Sequence, residues 1–308
     1  MLLGKIYAKS LGPEAVAKCE FSPYSRFMFR HLKSLFFAST LFSTFICQAQ
    51  TLPLWEVGAG VLGFESNHYR GSPEKRWRYF PLVAYTYRGK EVEAENGFVR
   101  GHLIKGKNAV LDLSFSLGLN VNSDANMLRK GMDNLDPTFE LGPIFRYYLW
   151  KSKNNLNFLN LEMPYRAVYT TNLQYIDHIG YYSVPYLNFL SKGNEATAGW
   201  TTEVSLGIQY GSKSFHNHFY GVDTEDINAI RGYYHSTRGY SGSQLTLIFS
   251  KRIDDFLIIP FFRYDYLDGA VYNESPLYKS PHYTFYGLNI VWFFAKSERM
   301  QEAPTMVK

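Results

Sequence analysis

Four sets of residues in this chain have the types and spacing to do chemistry. His216 and His218 share one face if the chain there is extended, and with Asp223 or Glu225 they could hold a metal ion. His235-Ser236, with Asp226 near in sequence, supplies the residue types of a nucleophilic hydrolase. Gly58-Ala59-Gly60-Val61-Leu62-Gly63 has the spacing of a dinucleotide-binding loop. Asp112, Glu140, Glu162, Arg166 and Glu203 are charges set among apolar residues, where they either tune a pore or pair with one another.

Context weakens the first three. No helix pattern follows Gly63 and no βαβ unit surrounds it, so close approach of strands explains its small residues better. Histidines in a polar loop are ordinarily solvated, and residue types without geometry make no triad. The expectation is a protein with no catalytic residue, no cofactor and no metal: not an enzyme.

The elements that must carry the fourth set are strands. In "AVLDLSFSLGLNV", Ala109, Leu111, Leu113, Phe115, Leu117, Leu119 and Val121 alternate with Asp112, Ser114, Ser116, Gly118 and Asn120. Period 2 means one extended strand with an oily face and a wet one. "WTTEVSLGIQY" and "LNFLNLEMPYRAVY" repeat the pattern, with Glu203, Glu162 and Arg166 on the wet side at mid-strand. Strands are expected near 53–64, 76–88, 109–121, 138–150, 156–171, 178–190, 196–211, 239–250, 255–267 and 282–294. Splitting residues 90–105 at the hairpin signal Asn96-Gly97 adds two more. The fold class is all-β: a transmembrane antiparallel up-and-down β-barrel of about 12 strands.

Connections alternate in length, with short turns on the side of both termini and long loops at 65–75, 122–137, 172–177, 212–238 and 268–281. Barrels put short turns in the periplasm and long loops outside. A barrel this narrow leaves little open interior, so paired charges that plug it are preferred to a pore. Trp55, Trp77, Tyr79, Tyr85, Tyr147, Trp150 and Tyr186 are expected to form interfacial girdles.

Residues 28–49, with Arg30 and Lys33 before an apolar run ending at Cys47, read as a secretory signal peptide cut after Ala49, with translation starting at Met28. Domains are therefore 1–49 leader, 50–294 barrel and 295–308 a polar, disordered tail. Removing the leader takes six Lys/Arg and two Asp/Glu, leaving 26 basic and 25 acidic residues, so nothing suggests a nucleic-acid partner. Both cysteines, Cys19 and Cys47, leave with it. The last strand, "HYTFYGLNIVWFF", puts Leu288, Ile290, Trp292 and Phe294 on one face, like the terminal strands that barrel assembly machinery recognises.

Three stretches, "HYRGSPEKRWRYFPLVAYTYRG", "HFYGVDTEDINAIRGYYHSTRGYSG" and "FFRYDYLDGAVYNESPLYKS", resemble the MipA/OmpV family of outer-membrane proteins. The most specific pieces are Tyr69-x-Gly71-Ser72, Tyr220-Gly221-Val222 and Ser275-Pro276-Leu277, each in or beside an expected outer loop. The resemblance implies a barrel in the outer membrane, held by its lipid. It implies a scaffold for a murein lytic transglycosylase and a penicillin-binding protein; a narrow solute channel or stress-response protein and a surface adhesin are the alternatives.

Overall fold

Alternating sequence becomes antiparallel ladder because neighbouring strands share the same two faces. The computed structural model of the chain describes residues 51–88, 93–95, 98–100, 104–106, 108–172, 174–194 and 197–302. Its strands are β1 (Thr51–Pro53), β2 (Trp55–Asn67), β3 (Lys75–Arg88), β4 (Glu93–Glu95), β5 (Phe98–Arg100), β6 (Ile104–Lys105), β7 (Ala109–Gly118), β8 (Thr138–Lys151), β9 (Asn157–Thr171), β10 (Ile176–Ser183), β11 (Tyr186–Ser191), β12 (Thr201–Gly211), β13 (Gly239–Ile253), β14 (Phe256–Tyr266), β15 (His282–Lys296) and β16 (Met300–Glu302). One helix, α1 (Lys213–Tyr220), follows β12, with the Ser212 side chain accepting from the Phe215 N–H at its start.

Hydrogen-bonded neighbours run β5-β4-β3-β2-β15-β14-β13-β12-β10-β9-β8-β7-β6, and β11 completes the strand between β9 and β12. The first long strand thus lies beside the last, from Phe285↔Ser66 to Lys296↔Glu56. Curvature shows in side chains that meet across the ladder: Arg252 on β13 bonds Glu56 on β2 at 2.9 Å, past two intervening strands. This is the up-and-down barrel architecture, and its surface is inside-out. Val83, Leu113, Met163, Leu206 and Trp292 are exposed on the wall, while Asp112, Glu162, Glu203, Arg263 and Asn289 are buried within.

The interior has two halves. Against β2, β3 and β13–β15 it carries an apolar cluster of Leu62, Phe64, Ile259, Phe261, Val291 and Phe293, with Gln244, Arg263, Asp265 and Asn289 buried on the same strands. Against β7–β12 it is polar and charged. The Gly58–Gly63 motif lies within β2, where a Cβ on Gly58 or Gly60 would sit 2.5 Å from the carbonyl oxygen of Trp292 or Ile290. Tight strand packing is what those glycines serve.

Several expectations need correction. The strand beginning at Ala109 ends at Gly118, and Val121 turns inward, 3 % exposed, bridging Leu135. The 178–190 strand is two segments, β10 and β11, interrupted at Val184-Pro185, where proline has no N–H for the ladder. The 212–238 loop holds a helix. The tail is not all disordered: β16 pairs with β1, Thr51↔Glu302 to Pro53↔Met300. Pairing of Glu95 with Phe98 is the register that a turn at Asn96-Gly97 requires, although those two residues, like the leader 1–49 and residues 303–308, lie outside the described residues.

Candidate functional site at the barrel mouth

Short polar and aromatic loop residues far apart in the chain meet at the wide-loop end. Tyr69 donates from its hydroxyl to the Leu277 carbonyl at 2.7 Å, and Tyr220 donates to the Arg70 carbonyl at 2.9 Å. Ser275 donates to the Tyr220 carbonyl at 2.7 Å, and the Lys279 and Ser280 N–H groups reach the Gly71 carbonyl at 2.8 and 3.0 Å. The rings of Tyr220 and Tyr272 stack at 3.7 Å. Gly71 has φ +94°, and a Cβ there would lie 2.7 Å from the Tyr278 ring, so glycine is required twice over.

The remaining motif residues lock the same assembly. The Ser72 carbonyl accepts from the Asn67 amide at 2.7 Å, and its hydroxyl accepts from the Asn126 amide at 3.0 Å. Gly221 ends α1, its N–H on the Asn217 carbonyl at 2.9 Å, while Val222 is fully buried in a bridge to Tyr234. Pro276 is half-buried ahead of buried Leu277. Together the three motifs build one plug in the mouth.

Beneath the plug lies a cavity of about 100 Å³. Its walls combine aromatic rings, among them Phe215, Tyr220, Tyr272 and Tyr283, with the charges of Arg70, Arg78, Arg263 and Glu140. Arg70 donates to the Tyr182 hydroxyl at 2.6 Å and to Gln209 Oε1 at 3.0 Å, and its Nε is 3.7 Å from Asp265. Arg263 grips Asp265 through two bonds of 2.6 and 2.5 Å. Arg78 donates to the Asn120 carbonyl at 3.0 Å.

Deeper, the polar half is filled by paired charges. Arg166 meets Glu140 at 3.2 Å and donates to Ser114 at 2.7 Å. Arg146 lies 3.3 Å from Asp112 and 3.1 Å from Glu162, and Glu162 also accepts from the Tyr186 hydroxyl and from Asn188. Glu203, on β12 beyond β11, is 5 % exposed.

All five charged residues singled out from sequence therefore face inward, and four of them fall into two ion-paired groups. Arg146, Arg70, Arg263 and Asp265 are additions. Parity could have found one: Arg146 is six residues from Glu140, hence on the same face. Tyr186, expected in a girdle, is instead 4 % exposed inside the barrel, on the same inward parity as Tyr182, Val184, Asn188 and Leu190.

The other candidates come apart. On helix α1, residues two apart point to different sides, so His216 and His218 do not share a face. His216 is buried, with Nδ1 on the Thr237 carbonyl at 2.7 Å and Nε2 on the Ser241 hydroxyl at 2.6 Å. Burial lowers the affinity of both imidazoles for protons, that of His218 to about 4 with help from Arg129. No cluster of three His, Cys, Asp or Glu suited to a metal occurs among the described residues. His235 bonds Asp223 at 2.7 Å rather than Asp226, and the Ser236 hydroxyl points to the Thr237 and Val271 carbonyls.

A family model described as MltA-interacting protein MipA matches residues 57–294. No curated protein matches the chain. Outer membrane phospholipase A from Escherichia coli is 13 % identical over 76 % of this chain and 92 % of its own, with a TM-score of 0.30. Neisserial surface protein A is 9 % identical over 78 % and 97 %, with a TM-score of 0.19. At these scores neither likeness bears on activity.

Proposed function

Because this chain belongs to the MltA-interacting protein MipA family, we propose that it is a non-enzymatic outer-membrane anchor whose periplasmic rim holds a murein lytic transglycosylase. A penicillin-binding protein joins through the same complex. The observation that carries this reading is the ribbon of β1 and β16 at the end bearing both termini. Short barrel turns offer little surface, whereas a two-stranded ribbon has outer edges to which a partner can add a strand. The termini belong in the periplasm because the short connections cluster at that end.

The interior supports an anchor over a conduit. Ion pairs and buried phenyl rings fill it, and the plug covers the mouth, which weighs against a channel.

The test is capture of purified transglycosylase MltA by the detergent-folded chain, compared with a variant ending at Lys296, with heat-modifiable migration as the folding control. The full chain should retain the enzyme and the truncated one should lose it. A folded full-length chain that captures nothing would remove the proposal.

A further inference from the structure

The serine–histidine contact that sequence suggests at His235-Ser236 occurs elsewhere in the plug. His216 Nε2 lies 2.6 Å from the Ser241 hydroxyl, and Nδ1 lies 2.7 Å from the Thr237 carbonyl. A carbonyl oxygen can only accept, so Nδ1 carries the ring proton. Burial, with the Arg70 charge acting the same way, keeps the imidazole's proton affinity below its ordinary value, and the neutral ring has a bare lone pair at Nε2. The Ser241 hydroxyl donates to that lone pair; its other acceptor, the Gly239 carbonyl, is farther away at 3.4 Å. A hydroxyl, a base that receives its proton and a third group that fixes the base make an activated nucleophile, here with a carbonyl oxygen in the orienting place.

Ser241 also lines the cavity beneath the plug, together with Phe215, Tyr272 and Arg70. It stands in β13 between Gly239 and Gly242, both at positive φ, and the ladder with β12 passes over it from Tyr240 to Gly242, a bulge that re-aims its side chain. Arg78, Leu119 and Phe219 on the same lining are half-buried and mark the side open to a small molecule. Volume sets the size: about 100 Å³ is below the roughly 150 Å³ of a cavity that accepts benzene, so the fitting acyl group has few carbons and no ring. We propose that Ser241 is a modification site, acylated on its hydroxyl by a small ester of a short aliphatic acid, with His216 as its base. The bond from Oγ to the carbonyl carbon forms as the hydroxyl proton passes to His216 Nε2. The tetrahedral oxyanion that results lies in the cavity that carries the Arg70 charge. It collapses by breaking the bond to the leaving oxygen, to which His216 returns the proton, so the products are an ester on Ser241 and the free alcohol. The outcome is one acyl group per chain, and the anchor proposed above remains without turnover.

Vinyl acetate, added to the folded chain in detergent micelles and followed by intact mass and peptide mapping, tests the assignment. Ser241 should gain one acetyl group that hydroxylamine removes, as it removes esters but not lysine amides. Ser236 and Ser275, in the same plug but bonded to carbonyls, should stay unlabelled, and so should Ser241 in the chain unfolded in urea. Vinyl benzoate should label Ser241 at least tenfold more slowly than the acetate. His216→Gln should slow acetylation tenfold or more, provided heat-modifiable migration shows it folded; where it does not fold, the comparison with Ser236 and with the urea-unfolded wild-type chain decides. Ser241→Ala should still capture the transglycosylase, so the two proposals fail separately. No acetyl group on Ser241 of the folded wild-type chain would overturn the proposal. So would equal labelling of Ser236, equal rates with the benzoate, or an unchanged rate in folded His216→Gln.

Discussion

Replacing Arg146 by methionine should cost the barrel a large part of its stability. Arg146 lies 3.3 Å from Asp112 and 3.1 Å from Glu162, with side-chain exposures of 18 %, 12 % and 2 %. At an effective dielectric of about 20, one unit-charge pair near 3.2 Å is worth roughly 5 kcal/mol. Methionine keeps the length of the side chain and regains the desolvation of the guanidinium, but leaves two like charges in one chamber. Removing one partner of such a buried group typically costs about 3–5 kcal/mol, against a total of about 5–15 kcal/mol for a folded domain. Urea unfolding in lipid vesicles, followed by tryptophan fluorescence, reads the difference. Adding Asp112→Asn and Glu162→Gln to Arg146→Met should restore all but about 1–2 kcal/mol, because apolar or neutral replacements of a whole ion group are well tolerated. A loss below about 1 kcal/mol for Arg146→Met, or no recovery in the triple variant, would refute the claim that charge pairing holds the polar half together.

Two further outcomes follow from local geometry. Gly142→Ala should destabilise by about 1–3 kcal/mol in the same assay, since its Cβ would meet the Tyr165 carbonyl oxygen at 2.0 Å and the Arg166 Cα at 2.8 Å, while Gly232→Ala, with nothing within 4 Å, should be neutral. The plug should loosen in acid: His218 binds its proton near pH 6.5 when unfolded but only near pH 4 when folded, so stability is complete above 6.5 and is lost as pH falls through 4. His216 acts in the same direction. Protection factors of the α1 amides, corrected for the intrinsic pH dependence of exchange, should fall between pH 7 and pH 4.5, and His218→Gln should flatten the change; equal protection at both pH values would count against it.

The wall of this protein was legible in its sequence because period 2 is a local property. The strands at 156–171, 239–250, 255–267 and 282–294 could be placed from their own residues, and the inward direction of Asp112, Glu162 and Glu203 followed from parity. What escaped depends on neighbours in space. Nothing local says that Tyr186 faces Glu162; that follows from the register of β11 against β9. Pairing of residues 51–53 with 300–302 joins the segments that flank the first and last long strands and has no signature in either segment. His216 looked like half of a metal site because an extended chain was assumed for a stretch that coils into a helix. The motif residues are placed in or beside outer loops by sequence, yet their convergence on one plug is a property of the folded mouth and not of any of the three loops.

That convergence has a consequence for the order of events during biogenesis. The bond from Tyr69 to Leu277 spans 208 residues and the one from Tyr220 to Arg70 spans 150. Contacts between such distant parts of a chain form late, after the intervening ladder has removed the entropy of closing the loop. The plug therefore cannot assemble on a half-built wall. Its appearance marks a barrel whose first and last long strands have already zipped, so a protease that cuts the outer loops would score completed insertion, chain by chain, as a timer of assembly.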